Sequence, residues 1–399
     1  MRIFFVTNNY IPYSGGVTQA IIATSDALRT QGHEVFIVTL DFLGKKSKPQ
    51  ADVIRVPCPI KFMYKKNYMA IPWRPMHFIK QLLQKYKPDI VHVHHPFLLG
   101  VSALHATRAC NIPCVFTYHT MYEDYAHYVP LPRYFTKKLI SSAVRRFCNN
   151  VDGIIAPSNA IKEYLTNQQI QTRIAVIPSP LRSMFLTHPS RARQLTPSSI
   201  SLDGDPDWNE VEIGAKGYLR APNNFNLLVV SRFVPEKNIP FVFDVFKQLP
   251  NNFKLTLVGY GSDYQKMQNL AFTTLQLSPQ RIHFIHKPPQ DELLKAYRTA
   301  DLFIFSSHTD TQGIVLAEAM SQGLPVIAVD GPGQRDIVTN NYNGFIIKDA
   351  KEAVTKIINI AQDATLFNKL ISGAYATAQR YHADNTTQQL LTFYHAIKT

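Results

Sequence analysis

Two carboxylates, Asp310 and Glu318, are separated by seven residues in a segment whose pattern predicts a strand, a loop and a helix. The apolar run over 300–305 predicts a buried parallel strand, and Gly323 marks the end of the helix. Open α/β sheets bind ligands beyond the carboxyl ends of their strands. The two carboxylates could therefore accept hydrogen bonds from the hydroxyl groups of one phosphorylated ligand.

The start of the predicted helix suits a phosphate, because backbone N–H groups point outward at a helix N-terminus. The residues that supply these groups are Thr311, Gln312 and Gly313. In a simpler interpretation, Thr309 or Asp310 only caps the helix and Glu318 is a solvated helix residue.

A pair of cations follows another predicted strand. Arg232 and Lys237 come after the strand at 225–230, beside a proline-marked turn. An arginine fork and a lysine point charge can together clamp a diphosphate, although two ordinary surface cations would give the same pattern. The strand at 255–258 ends in a glycine turn at Gly259.

The amino-terminal segment predicts a βαβ unit with a glycine-rich turn at Gly15 and Gly16. The Gly-x-Gly-x-x-Gly dinucleotide pattern is absent there. Paired glycines at a strand end let the backbone approach a ligand closely, and a simple tight turn is the alternative.

Histidines follow two predicted strands of the first half. His119 ends the strand at 114–118 and is followed by two acids and three tyrosines, which include Glu123, Asp124 and Tyr125. The run over 92–95 holds three more histidines, but no carboxylate or cysteine nearby completes a metal-ligand set. We therefore expect strand-end or cleft-lining histidines there, and His119 could alternatively be a satisfied structural residue.

The acid-x7-acid motif, with Thr-Gln-Gly after the first acid and Glu-Ala-Met at the second, resembles the signature of the retaining GT-B glycosyltransferases of family four. The residues of this motif, like those of the run from His119 to Tyr128, are most similar to the bacterial diacylglycerol glucosyltransferases. The family usually has Glu at the first acid, where this chain has Asp310. The resemblance covers nearly the whole chain outside 182–222 and parts of 45–75.

The resemblance implies an α/β GT-B fold, with two Rossmann-like domains facing across a cleft. It implies that His119 faces the transferred sugar. By their chemistry, Asp310 can accept sugar hydroxyls and Glu318 can accept ribose hydroxyls, so the candidate catalytic residues are His119, Asp310 and Glu318. The remaining donor contacts that it implies are Gly15, Gly16, Arg232, Lys237, Gly259, Thr311, Gln312 and Gly313. We expect Glu123, Asp124 and Tyr125 on the acceptor side, and neither a metal nor another cofactor.

Composition and pattern also predict the domain organisation. We expect an amino-terminal domain over 1–181, a linker or insertion over 182–222, a nucleotide-sugar domain over 223–380, and a last helix over 381–399 that packs back on the first domain. Residues 182–222 are rich in Ser, Pro, Gly, Asp and Asn and show no periodicity. The acidic run at 203–207 is expected to be a solvated loop.

The net charge of +14 is concentrated in the first half, where residues 1–180 hold 21 Lys and Arg against 9 Asp and Glu. Cations mixed with aromatics suit an anionic lipid surface, although an ordinary solvated loop, nucleic acid or a phosphorylated substrate would also fit. The candidate membrane-binding residues are Lys61, Lys65, Lys66, Trp73, Lys137, Lys138, Arg145 and Arg146.

No signal peptide or membrane-spanning run is predicted, and the four cysteines form no disulfide pattern. We expect a peripheral enzyme on the cytoplasmic face of the cell membrane. The resemblance implies transfer of a hexose from UDP-glucose to a lipid such as diacylglycerol, with no nucleic-acid partner. The alternatives are a phosphatidylinositol mannosyltransferase, a cell-surface polysaccharide transferase, a nucleotide-sugar epimerase, and a protein that only binds membranes or nucleic acid.

Overall fold

A computed structural model describes residues 1–12, 15–42, 50–64, 67–123, 133–186 and 224–398. The chain forms two compact units. Unit 1 is Met1–Pro180 together with Ala383–Thr399, and unit 2 is Leu181–His382.

Unit 1 begins with alternating strands and helices. Its strands are β1 (Arg2–Thr7), β2 (Glu34–Leu40), β3 (Val53–Val56), β4 (Ile60–Tyr64), β5 (Asn67–Ile71), β6 (Ile90–Val93), β7 (Cys114–Thr117), β8 (Gly153–Ala156) and β9 (Ile174–Val176). Its helices up to Pro180 are α1 (Gly16–Thr30), α2 (Pro75–Tyr86), α3 (Leu99–Cys110), α4 (Arg133–Cys148) and α5 (Asn159–Asn167).

Unit 2 repeats the alternation. Its strands are β10 (Phe225–Arg232), β11 (Phe253–Tyr260), β12 (Ile282–His286), β13 (Leu302–Phe305), β14 (Val326–Val329) and β15 (Gly344–Ile347). Its helices are α6 (Ile239–Phe246), α7 (Tyr264–Asn269), α8 (Gln290–Thr299), α9 (Ile314–Ser321), α10 (Pro332–Ile337), α11 (Ala350–Gln362) and α12 (Ala364–Ala378). The last helix, α13 (Ala383–Lys398), belongs to unit 1.

Both large sheets are parallel and reverse their strand order in the middle. The first runs β3-β2-β1-β6-β7-β8-β9, and the second runs β12-β11-β10-β13-β14-β15. This is the doubly wound order, in which the loops on either side of the reversal point diverge and leave a crevice for a ligand. The prediction of two Rossmann-like α/β halves is therefore confirmed.

The strands are apolar at nearly every position because both faces of each sheet are covered. In β1, Phe4 and Val6 enter one core cluster, whereas Ile3 and Phe5 enter another. The second cluster includes four residues of α13, which cover that face of the sheet: Leu390, Leu391, Phe393 and Tyr394. The carboxyl-terminal helix thus completes the core of unit 1.

The basic stretch between β3 and α2 contains a two-stranded antiparallel hairpin, β4–β5. Cross-strand pairing places Ile60 opposite Ile71 and Phe62 opposite Met69. Because side chains alternate along a strand, these four share one face, and all four are exposed. On the other face Ala70 enters the core, so the hairpin turns its apolar face outward.

Helix α4 presents its residues in a similar way. Val144 and Phe147 face the core, whereas Phe135 and Leu139 are each 63% exposed. The apolar side chains of this helix are thus split between the core and the surface.

Candidate active site

A lysine and a carboxylate meet at the reversal point of the second sheet. Strands β10 and β13 are neighbours there. Lys237 lies in a short helical turn after β10, and Asp310 lies in the loop after β13. The Nζ atom of Lys237 is 2.7 and 2.6 Å from the two carboxylate oxygens of Asp310. The structure therefore brings two of the predicted site residues into direct contact.

Two serines after β13 hold the short helical turn Pro235–Lys237 in place. The hydroxyl of Ser306 donates to the carbonyl of Lys237 over 2.7 Å, and that of Ser307 donates to the carbonyl of Glu236 over 3.2 Å. Both serines are buried. The position of Lys237 therefore depends on the strand that leads to Asp310.

Glycines shape the backbone around Asp310. Gly313, which precedes α9, has φ +66°, a conformation that side-chain-bearing residues rarely adopt. The N–H of Gly333, in α10, donates to the carbonyl of Asp310 over 2.9 Å. A Cβ atom at Gly333 would stand 2.8 Å from that carbonyl, so α10 can approach the loop only with glycine there.

Glu318 is buried and is held by residues from other parts of unit 2. It is 5% exposed on α9. Arg182 donates to its Oε1 atom from Nε and Nη2 over 3.1 and 2.8 Å. The hydroxyl of Tyr297 donates to its Oε2 atom over 3.0 Å. Glu318 is therefore not the solvated helix residue of the simpler interpretation, because partners from elsewhere in unit 2 enclose it.

Burial also affects the groups that hold Glu318. Desolvation, together with the nearby carboxylate, raises the pKa of Tyr297 well above its ordinary value. The phenol therefore stays protonated and remains a donor. The guanidinium of Arg182 also lies 4.9 Å from the centre of the Phe185 ring.

The other predicted donor residues of unit 2 lie near the same sheet edge. Arg232 is the last residue of β10 and is half-buried. Thr311 and Gln312 lie between Asp310 and Gly313, with Gln312 buried. Gly259 has φ +152°, and a Cβ atom there would stand 1.8 Å from the carbonyl oxygen of Ser231. Gly259 thus allows the ends of β10 and β11 to run close together.

In unit 1, Gly15 and Gly16 begin α1, just after β1. Gly15 takes the position before the helix, and open space surrounds the point where a Cβ atom of Gly16 would lie. These glycines lie on one side of the reversal point of the first sheet, and the histidines after β6 lie on the other.

Four histidines lie near the carboxyl ends of β6 and β7. His92 and His94 are 2% and 3% exposed, whereas His119 retains part of its surface. The Nδ1 atom of His94 is 2.9 Å from the Nε2 atom of His119. Burial lowers the pKa of His95 to about 4 and that of His119 to about 3. These imidazoles are therefore neutral near pH 7.

The acceptor-side and membrane residues are only partly described. The hydroxyl of Ser141 donates to Glu123 over 3.1 Å. Lys61 pairs with Asp41 over 3.0 Å, and Trp73 is 69% exposed. Lys138, Arg145 and Arg146 are exposed on α4, and Lys137 is half-buried there. The remaining predicted residues lie outside the described ranges: Asp124, Tyr125, Lys65 and Lys66.

Within the described ranges, no three His, Cys, Asp or Glu side chains could jointly hold a metal ion. Within the same ranges, no helix is long and apolar enough to cross a bilayer.

Sequence reasoning missed several residues that position this site, including Arg182, Tyr297, Ser306 and Gly333. Arg182 stands in the segment predicted to be a linker, 136 residues from its partner Glu318. Tyr297 lies on α8, 21 residues before Glu318 in the chain. A buried glutamate needs hydrogen-bond donors, so the presence of such donors could have been predicted. That requirement does not identify which residues they are.

Two family models match the chain. One, described as Glycosyltransferase Family 4, matches residues 14–181, and the other, described as Glycosyl transferases group 1, matches residues 215–377. The chain is 28% identical to an alpha-monoglucosyldiacylglycerol synthase of Streptococcus pneumoniae, over 87% of this chain and 75% of the relative. A protein of the same name from Acholeplasma laidlawii is 25% identical, over 99% and 96%.

A GDP-mannose-dependent alpha-mannosyltransferase of Mycobacterium tuberculosis is 26% identical, over 87% of this chain and 84% of the relative. Two solved structures share the fold. Sucrose-phosphate synthase of Thermosynechococcus elongatus has a TM-score of 0.75 at 18% identity, covering 99% of this chain and 98% of that one. Anabaena HepE in complex with UDP has a TM-score of 0.72 at 20% identity, covering 99% and 100%.

The two family models lie in succession along the chain, one for each parallel sheet, and the curated relatives are glycosyl-transferring enzymes. The chain therefore belongs to the family-four glycosyltransferases of the GT-B fold.

Proposed function

We propose that this glycosyltransferase moves a hexose from a nucleotide sugar, UDP-glucose in the first instance, to the hydroxyl group of a diacylglycerol-type lipid, with retention of anomeric configuration. The observation that carries the proposal is the contact between Lys237 and Asp310 at the reversal point of the second sheet. A cation that could bind phosphate thus lies beside a carboxylate that could accept sugar hydroxyls. The names of the Streptococcus pneumoniae and Acholeplasma laidlawii relatives support the choice of donor sugar and acceptor.

The proposed site for the nucleotide sugar is argued from charge. Departure of the sugar leaves negative charge on a nucleoside diphosphate, and cations that are already in place stabilise that charge. Lys237 has three N–H donors and can bind a phosphate oxygen while it stays in contact with Asp310. Arg232 at the end of β10 and the backbone N–H groups near Gly313 complete the proposed diphosphate site.

Glu318 can take a ribose hydroxyl even though it already has partners. A carboxylate offers about four lone-pair sites. Arg182 and Tyr297 together occupy three of them, two on Oε1 and one on Oε2. Among the described residues, one site on Oε2 therefore remains for a ligand hydroxyl, in an orientation that the two partners fix.

His119 contributes a neutral ring. Its lowered pKa, caused by burial, prevents it from serving as a cation near pH 7. A neutral imidazole still donates one hydrogen bond and accepts another. We propose that it binds a hydroxyl of the transferred sugar.

The surface of unit 1 supports a lipid acceptor. Between Asp52 and Asp89 there is no acidic residue, whereas eight Lys and Arg stand there. This stretch includes the hairpin β4–β5 with its outward apolar face, and the exposed Trp73 with Arg74 6.0 Å from its ring centre. Apolar side chains enter the boundary of the acyl chains while cations meet anionic headgroups.

A second candidate has its own support. The Mycobacterium tuberculosis relative is named for GDP-mannose, so transfer of mannose to an inositol lipid is the alternative. Nothing in the described site separates the two nucleotide bases. Donor specificity is therefore the first property to measure.

The test is an assay with radiolabelled UDP-glucose or GDP-mannose, vesicles that contain diacylglycerol or phosphatidylinositol, and extraction of the labelled lipid. We expect an α-glucosyl diacylglycerol from UDP-glucose, with its anomeric configuration read by proton NMR. Lys237→Ala serves as the matched control and should abolish labelling. A mannosylated inositol lipid would support the second candidate, and conversion of the donor without any acceptor would indicate an epimerase.

A further inference from the structure

A row of buried rings stands behind His119. The hydroxyl of Tyr394, on α13, lies 2.6 Å from Nδ1 of His92. The ring centres of His92 and His94 are 4.2 Å apart, and those of His94 and His119 are 5.2 Å apart and nearly parallel. We call these four residues the histidine row. It runs from the buried Tyr394 of α13 to the partly exposed His119.

Two buried hydroxyl groups contact the ring of His92. Tyr394 is 0% exposed, and within the described ranges the partner of its hydroxyl is His92. A buried hydroxyl needs an acceptor for its hydrogen, but a neutral His92 has only one acceptor nitrogen for the two buried hydroxyls of Tyr394 and Thr117. The hydroxyl of Thr117 lies 2.6 Å from Nε2 of His92, so the ring proton occupies one of these two contacts and both contacts hold the ring in place.

Counting donors and acceptors determines which ring nitrogen of His94 carries the proton. Its Nδ1 faces Nε2 of His119, and its own Nε2 is buried without a hydrogen-bond partner in the described ranges. If His119 were the donor, the proton of His94 would be on that buried Nε2. A buried N–H without an acceptor is rarer in proteins than a buried acceptor without a donor. His94 therefore carries its proton on Nδ1 and donates it to Nε2 of His119.

We propose that His94 is a positioning residue that fixes His119 in the tautomer with its proton on Nδ1. His119 then offers the sugar an N–H donor and cannot act as a base through Nε2, which is occupied by His94. This proposal rests on the proposed function, in which His119 contacts the transferred sugar. The tautomer can nevertheless be measured without turnover.

Two variants distinguish the effect of the His94–His119 hydrogen bond from the effect of the His94 ring itself. His94→Phe keeps the size and stacking of the ring but removes the donor. His94→Asn keeps an amide N–H near the position of Nδ1 and should partly restore the contact. His105→Asn is the matched control, because His105 is exposed on α3 of the same unit. Thermal unfolding of each variant shows whether it folds, and His94→Asn provides the test if His94→Phe does not.

The primary measurement is the ¹⁵N spectrum of the histidine rings in the full chain, with His119 assigned by its loss in His119→Asn. We expect Nδ1 of His119 to show the protonated shift and Nε2 the unprotonated one. In His94→Phe we expect the two forms to mix. Protonated Nε2 of His119 in the parent protein would overturn the proposal.

Kinetics provide the second measurement. We expect His94→Phe to lower kcat about tenfold, as the loss of one hydrogen bond does, with KM for the donor changed less than about twofold. His94→Asn should recover part of that loss, and His105→Asn should match the parent. Equal kcat in His94→Phe and the parent would contradict the positioning role. If His119→Asn itself leaves kcat unchanged, the proposed role of His119 fails, while the ¹⁵N spectrum still decides the role of His94.

Discussion

The ammonium group of Lys237 lies between the two carboxylate oxygens of Asp310, at 2.7 and 2.6 Å. Two groups that we assign to different parts of the donor thus neutralise each other before any donor binds. An incoming diphosphate must share Lys237 with Asp310. In the proposed site the carboxylate would therefore oppose nucleotide binding, even though its proposed role is to hold the sugar.

This relationship predicts different effects on binding and on turnover. Asp310→Asn should bind UDP at least as tightly as the parent, because the repulsive charge is gone and Lys237 is released. Calorimetric titration with UDP measures this affinity, and Lys237→Met, which should weaken UDP binding, is the comparison. If Asp310→Asn weakens UDP as much as Lys237→Met does, the assignment of the two groups is wrong.

Turnover should fall when the carboxylate is lost. Asp310→Ala should lose at least about 2 kcal/mol of transition-state stabilisation in kcat/KM, as expected for a hydrogen bond to a charged group. Asp310→Glu restores the acid that is usual in the family and should remain active. Parent-like turnover in Asp310→Ala would reject the site, and complete inactivity of Asp310→Glu would show that the shorter side chain is matched to its sugar.

Glu318→Ala should reduce both activity and stability. It removes the ligand acceptor, for a loss of at least about 2 kcal/mol in kcat/KM. It also leaves Arg182 and Tyr297 without their common acceptor, and breaking a buried ion pair costs about 3–5 kcal/mol. Denaturant unfolding should therefore show a larger loss for Glu318→Ala than for Asp310→Ala, whose ion pair is more exposed. Equal midpoints would mean that Arg182 is paired equally well elsewhere.

Turnover should survive chelation. In the proposed mechanism Arg232, Lys237 and backbone N–H groups meet the charge of the diphosphate, so no step requires a divalent ion. The assay is run with EDTA, with and without added Mg²⁺. Loss of activity with EDTA and recovery with the ion would redirect attention to the acidic run at 203–207, which lies outside the described residues, and to the histidines near His94.

Stability should fall as the pH falls from about 7 to 5.5. Burial lowers the pKa values of His92, His94, His95 and His119, so the unfolded chain takes up protons near pH 6.5 that the folded chain does not bind. The unfolded state then binds more protons, and each histidine contributes up to about 1.4 kcal/mol per pH unit below its unfolded pKa. Unfolding midpoints across this range test the sign, and His94→Asn should flatten the slope. A midpoint that does not change, or that rises on acidification, would contradict the burial of these rings.

Binding to lipid vesicles should have two components. Cations near an anionic surface contribute about 1 kcal/mol each and are screened by salt, so replacing Lys61, Lys65, Lys66, Arg145 and Arg146 with Gln should remove the salt-sensitive part. Phe62→Ser with Met69→Ser should remove a salt-resistant part, because these residues lie on the outward face of the hairpin. Sedimentation with vesicles of graded anionic content measures both, and UDP binding is the control for folding. Equal binding to neutral and anionic vesicles, or none to either, would remove the membrane proposal.

Local pattern predicted most strands of the two parallel sheets and the kind of residue at each strand end, but it did not predict the β4–β5 hairpin. The apolar runs that became β10 and β13 are typical of strands buried on both faces, and glycines and prolines mark their ends. The spacing of Asp310, Glu318, Arg232 and Lys237 also led to the family. Such signals are local, because strand ends and helix starts depend on a few neighbouring residues.

The partners of those residues were decided by the tertiary structure. Lys237 meets Asp310 because the sheet reverses its order between β10 and β13, and no local pattern records that pairing. Arg182 meets Glu318 across 136 residues because its neighbours Leu181 and Phe185 pack into the same core cluster as the residues of α9 beside Glu318. The β4–β5 hairpin has apolar residues on both faces, so which face turns outward depends on where Ala70 packs. The chain thus encodes these contacts only through the packing of its two sheets, since burial selects among partners that are equally compatible with the local sequence.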